Sequence, residues 1–74
     1  MKYKVGDKVV IRKDLKVGKF YGDIYWLKHK EDLKSKDYVV VSRVDKNNNY
    51  ISVENDSYDI TDEMIEGFYK EEVI

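Results

Sequence analysis

The sequence predicts a mainly β, all-β domain of five short strands, and three observations carry that prediction. β-Branched runs at residues 8–12 and 38–44 have the composition that strands favour. Two clusters that suit tight turns, Asn47-Asn48-Asn49 and Asn55-Asp56-Ser57, punctuate the second half of the chain. The 74 residues are 42% hydrophobic and include no Pro and no Cys. They allow one domain, residues 1–74, with one small core and no disulfide framework.

The first strand, 8–12, follows a Gly6-Asp7 turn signal. From 13 to 36 the pattern is irregular. Gly18 and Gly22 flank Phe20 and Tyr21, and Ile24-Tyr25-Trp26-Leu27 forms a short aromatic, strand-like patch. Residues 30–36 are polar apart from Leu33 and read as a helical turn or loop. The strongest strand is 38–44. A tight reversal at 45–49 leads into a hairpin partner at 50–54, with Ile51 and Val53 on one face and Tyr50, Ser52 and Glu54 on the other. After a turn at 55–57, residues 58–60 make a third meandering strand. Thr61 is placed to cap a brief helix through Met64 and Ile65, with Asp62 and Glu63 at its positive end. Gly67 would end that helix in a left-handed conformation, and Phe68-Tyr69 would add a last short strand.

Strand, long loop, three-stranded meander, helical turn, short strand is the order of an SH3-like barrel. Five strands curled on themselves enclose a core in few residues. The expected fold is therefore a small five-stranded SH3-like barrel with a long first loop and a short helical turn near the C-terminus. Its expected core is Val9, Ile11, Val39, Val41, Val44, Ile51, Val53, Ile60, Met64 and Ile65.

Charge is unevenly placed. Residues 1–36 carry eleven Lys/Arg against five Asp/Glu, whereas residues 37–74 carry three against ten. The formal total of −1 conceals halves of +6 and −7. Folding would interleave the two; any field that survived would steer charged partners. No apolar run reaches the ~20 residues that span a bilayer, and an apolar leader stretch is missing. No membrane partner and a cytoplasmic setting are expected.

The words Met1-Lys2-Tyr3-Lys4-Val5-Gly6-Asp7-Lys8-Val9 and Ile11-Arg12-Lys13-Asp14-Leu15-Lys16-Val17-Gly18 resemble those of small uncharacterised proteins in phages and prophages of Gram-positive bacteria. Tyr21-Gly22, the strand from Tyr38 and Thr61-Asp62-Glu63-Met64 fit the same pattern. The chain departs from it at Ile60, where members often have Trp, and at Ser35-Lys36, where they often have Gly-Lys. The resemblance implies an SH3-like barrel in a bacterial host cell. Its members mostly lack an assigned activity. Small phage proteins of this size often bind phage partners or host defence machinery, inhibitors of CRISPR nucleases among them.

Three sets of side chains are candidates for recognition. The first is aromatic: Phe20, Tyr21, Tyr25 and Trp26 with Lys19 and Lys28 beside them. Aromatic rings bury much area with few rotatable bonds. The same rings would also close the open end of a small barrel, and Trp26 suits that role best. The second is basic: Lys8, Arg12, Lys13, Lys16, Lys19, Lys28, Lys30, Lys34 and Lys36. Lysines beside tyrosines suit phosphates and stacked bases, but a pI near 5.8 argues for a solvated surface. The third is acidic: Asp45, Glu54, Asp56, Asp59, Asp62, Glu63 and Glu66. These could imitate a phosphate track, although turns and helix starts favour the same residues.

Asp45, Asn47, Asn49 and Asp56 are spaced like a calcium loop, but Tyr50 stands where the sharp turn needs Gly. The Asn55-Asp56-Ser57 sequon needs an exported chain. His29 has no nucleophile near it in sequence and reads as a surface residue. No metal, cofactor or catalytic set is expected. The functional expectation is a non-enzymatic phage or prophage binding protein that recognises a protein partner, as a monomer or homodimer. The alternative is a nucleic-acid-binding SH3-like module using Lys and Tyr.

Overall fold

Val9, Val10 and Ile11 leave the Gly6-Asp7 turn as strand β1 (Lys8–Ile11) in a computed structural model that describes residues 3–44, 49–52 and 58–70. Gly6 takes φ +93°, a value only glycine adopts freely. The turn is tied down by Gly6 N donating to Val41 O at 2.8 Å and Lys4 N donating to the Asp7 carboxylate at 3.0 Å. Next come β2 (Phe20–Tyr21), β3 (Ile24–Tyr25) and the 310 helix Lys28–Ser35. β4 (Val39–Val44), β5 (Tyr50–Ser52) and β6 (Tyr58–Ile60) follow, then a 310 turn Asp62–Met64 and β7 (Ile65–Phe68).

Five of these strands form an antiparallel sheet in the order β6-β5-β4-β1-β7, and β2 and β3 form a separate two-stranded sheet. β4 is the shared member. Val39 and Val40 lie opposite Val9 and Lys8, whereas Val41 to Val44 lie opposite β5, with an irregularity between Val41 and Arg43. Such a break lets a strand bend from one partner to the next.

The expected all-β SH3-like barrel is corrected. β6 and β7 end the sheet order without pairing to each other, so the sheet stays open. The stretch read as a long loop holds a second small sheet and an eight-residue 310 helix. The fold is mixed, helix and two open sheets, not a closed small β-barrel. Closure fails to appear because the first half supplies its own wall. Leu15, Trp26 and Leu33 are all buried in the common core, and Lys30 is buried beside them.

Two local expectations are also corrected. Thr61 makes no side-chain cap to the 310 turn; its hydroxyl donates to Tyr21 O at 2.8 Å. Gly67 is not a helix terminator but lies in β7 opposite Val10.

Of the expected core, Val9, Ile11, Val39, Val41, Ile60, Met64 and Ile65 are buried, and Val44 is half-buried against them. The side chains of Ile51 and Val53 lie outside the described ones, as do the turns at 45–48 and 55–57. Tyr3 and Tyr50 join the core as an edge-to-face pair 5.5 Å apart. Tyr50 thus points inward, against the expectation. Its hydroxyl donates to Asp62 at 2.7 Å and accepts from Tyr3 N at 3.2 Å, as a buried phenol requires. Burial and the nearby Asp62 carboxylate raise the Tyr3 pKa.

If the helix is a core wall, Leu33→Ala should lower unfolding free energy by about 2–5 kcal/mol in urea titration. Leu27→Ala, at a residue 43% exposed, should change it by no more than about 0.5 kcal/mol.

Candidate functional site

Hairpin β2–β3 turns on Gly22-Asp23, with Phe20 opposite Tyr25 and Tyr21 opposite Ile24. Gly22 has φ +68°, which a two-residue hairpin turn needs. Pairing continues outward through Trp26 N donating to Lys19 O at 2.8 Å and Gly18 N donating to Trp26 O at 3.0 Å. Side chains alternate across a strand. Tyr21 and Ile24 accordingly pack on the core, and Phe20 and Tyr25 face water.

The outward rings form an edge-to-face pair with centroids 4.8 Å apart. Phe20 is 67% exposed and Tyr25 40%. Val17 and Leu27, which flank the hairpin in sequence, are exposed as well, as are Lys16, Lys19 and Lys28. The chain thus displays an aromatic pair on a short β-ribbon among lysines.

The opposite face of the ribbon is clamped. Thr61 Oγ1 donates to Tyr21 O at 2.8 Å, and Gly22 N donates to the Glu63 carboxylate. The Tyr21 hydroxyl accepts from Lys16 N at 2.9 Å. Arg12 grips Asp14 through two nitrogens at 3.0 and 2.8 Å and donates a third bond to Glu63 O at 2.7 Å. Its guanidinium lies 5.9 Å from the Tyr21 ring. The bond from Arg12 holds the Asp14 carboxyl below its ordinary value. A Cβ at Gly22 would come within 3.3 Å of the Thr61 side chain, so the ribbon sits close on its support.

Trp26 ends the ribbon and is fully buried. Its Nε1 donates to Glu31 at 3.0 Å, Glu31 pairs with Lys34 at 2.9 Å, and Lys34 Nζ also donates to Leu15 O. Lys34, and then Trp26, lower the Glu31 pKa. Lys30 is buried with its ammonium donating to Asp59 O at 3.0 Å and Tyr25 O at 3.3 Å. Burial lowers its pKa, and Asp59 partly opposes that shift.

The candidate sets therefore separate. Phe20 and Tyr25 share the outward face and Lys19 and Lys28 are exposed near them in sequence, whereas Tyr21 and Trp26 belong to the packed side. Among the basic residues, Arg12, Lys13, Lys30 and Lys34 make internal bonds, Lys13 to the Lys34 carbonyl. Lys8 lies over the Tyr38 ring at 4.9 Å, and Lys36 is half-buried. Among the acidic residues, Asp62 and Glu63 accept internal hydrogen bonds. Asp59 and Glu66 lie on β6 and β7, at opposite ends of the sheet order. Asp45, Glu54 and Asp56 lie outside the described residues. His29 is exposed, as expected, and stacks on Tyr58 at 5.5 Å.

Sequence reasoning named Thr61 and Glu63 only as a cap and a helix-start acid and missed that they support the ribbon. It also missed the bond of Glu31 to Trp26, because those partners are 40, 41 and five residues away. Among the described residues, no group of three or more His, Cys, Asp or Glu could hold a metal ion. None of the described helices is long and apolar enough to cross a membrane.

No family model, no curated protein and no solved structure matches the chain. The resemblance to phage and prophage proteins is thereby corrected: no comparison gives the chain a phage or viral identity, and the open fold removes the barrel that the resemblance implied.

The clamp and the indole bond each make a prediction. Gly22→Ala should cost about 1–2 kcal/mol from the left-handed backbone alone, measured by thermal unfolding. Glu31 has a lowered folded pKa, so its ion pair stabilises fully above the ordinary value of 4.5 and is lost as pH falls through the folded value. Glu31→Gln should unfold more easily at neutral pH and lose less further stability in acid, followed by Trp26 fluorescence. Asp14 shifts the same way, so the acid dependence should shrink without vanishing.

Proposed function

We propose that the outer face of hairpin β2–β3 recognises a protein partner, without catalysing a reaction on it. The observation that carries this reading is the exposed Phe20–Tyr25 pair, held on a ribbon whose other face is fixed to the core. Large apolar rings in water are costly, and a rigid ribbon lets them enter a partner with little ordering cost. Lys16, Lys19 and Lys28 complement a partner surface with an apolar recess bordered by Asp or Glu.

Stacking on single-stranded nucleic acid is the second reading, because rings beside lysines also suit bases and phosphates. It is less favoured. Arginine is the preferred base reader, and Arg12 is engaged internally by Asp14 and Glu63.

In affinity purification from the native cells, Phe20→Ala/Tyr25→Ala should fold like the parent and recover far less of the bound protein. Val5→Ala, at an exposed residue outside the hairpin, should recover it fully. Equal recovery by the hairpin variant would remove recognition from this face. A labelled single-stranded oligonucleotide that binds and releases steeply with salt would reassign the rings to base stacking.

A further inference from the structure

β7 is paired on one side only. Val10 lies opposite Gly67 and Val9 opposite Phe68, and Tyr69 N donates to Lys8 O at 2.9 Å. Main-chain groups alternate in direction along an antiparallel strand. With Tyr69 turned toward β1, the N–H and C=O of Phe68 face the open side. β7 ends the sheet order, and no described strand lies beyond it. An exposed strand edge is a template for one more strand.

The surface beside that edge selects the occupant. Val9 and Ile11 are buried, so Val10 between them lies on the outer face, and its partner Gly67 has no side chain to cover it. An open groove of about 520 Å³ results, bordered by Phe68 and Tyr69 and carrying Asp37, Glu66 and Lys70. A Cβ at Gly67 would meet nothing within 4 Å, so the space over the strand is empty. Two carboxylates against one ammonium give the groove lining a negative balance, and Lys8 on the neighbouring β1 is held over the Tyr38 ring. A long basic side chain suits it, with its alkyl stem on Val10 and its charged head at the acidic rim.

We propose that β7 accepts an extended peptide strand from a partner protein, with a Lys or Arg side chain laid across Gly67 toward Asp37 and Glu66. Main-chain bonds to Phe68 supply the pairing, and the basic side chain supplies the selectivity. This site is independent of the aromatic hairpin.

The test uses a fluorescent peptide of alternating lysine and valine and its glutamate–valine counterpart, titrated against the full chain by anisotropy. The lysine peptide should bind saturably, and the glutamate peptide about tenfold or more weaker. Asp37→Asn/Glu66→Gln should reduce that preference. Gly67→Val, whose Cβ enters open space and whose β-branch suits a strand opposite Val10, should keep the parent's melting temperature and lose the peptide. Amide shifts on binding should centre on Gly67 and Phe68. No saturable binding, equal binding of both peptides, or undiminished binding by a folded Gly67→Val would each overturn the proposal. So would shifts centred on Phe20 and Tyr25, or a dimer of the chain that Gly67→Val dissolves.

Discussion

A tryptophan that is fully buried must still find an acceptor for its indole N–H. The arrangement of the first half follows from that demand. Trp26 is fully inside, and the acceptor is Glu31, five residues on, which the 310 helix Lys28–Ser35 carries back to the indole. Lys34 on the same helix pairs with that carboxylate while also reaching Leu15 O. Helix, ribbon end and the 13–17 segment are thus joined through one side chain. That junction joins the region to the core although its strands pair only with each other and not with the larger sheet.

Lys30 extends the same helix toward the sheet. A buried ammonium is costly unless its donors are met, and here it donates to carbonyls of Tyr25 and Asp59. The second of these belongs to β6, an end strand of the sheet. Charged side chains are a common means of protecting a strand edge. The two ends of the sheet are therefore unlike: one carries a lysine on its main chain, and the other borders an open groove.

Strands rich in β-branched residues were legible in the sequence. Residues 8–12, 38–44 and 58–60 correspond to β1, β4 and β6 within a residue at either end, because their preference for extended backbone is local. The strand-like patch at 24–27 and the helical turn at 30–36 were read in part, but the pairing of β2 with β3 and the eight-residue length of the 310 helix were not, since such short elements leave little periodicity to count. Tyr50 misled because alternation set it opposite the expected core face of Ile51 and Val53, whereas Asp62 and Tyr3 satisfy its hydroxyl inside. Barrel closure was the largest error. It depends on whether β6 and β7 meet, and nothing in either segment records that. The aromatic cluster at 20–26 was visible, but its division into outward and inward rings needed the register of Phe20 with Tyr25.

That division separates two kinds of constraint on neighbouring residues. Tyr21, Ile24 and Trp26 are held by the core, so replacing them acts on folding. Phe20 and Tyr25 pair with each other outside the buried cluster, so replacing them leaves the core intact. Selection can therefore alter the outer pair without a matching change in stability. Divergent copies of this chain would be expected to keep the inner positions apolar while the outer ones drift with whatever surface they meet.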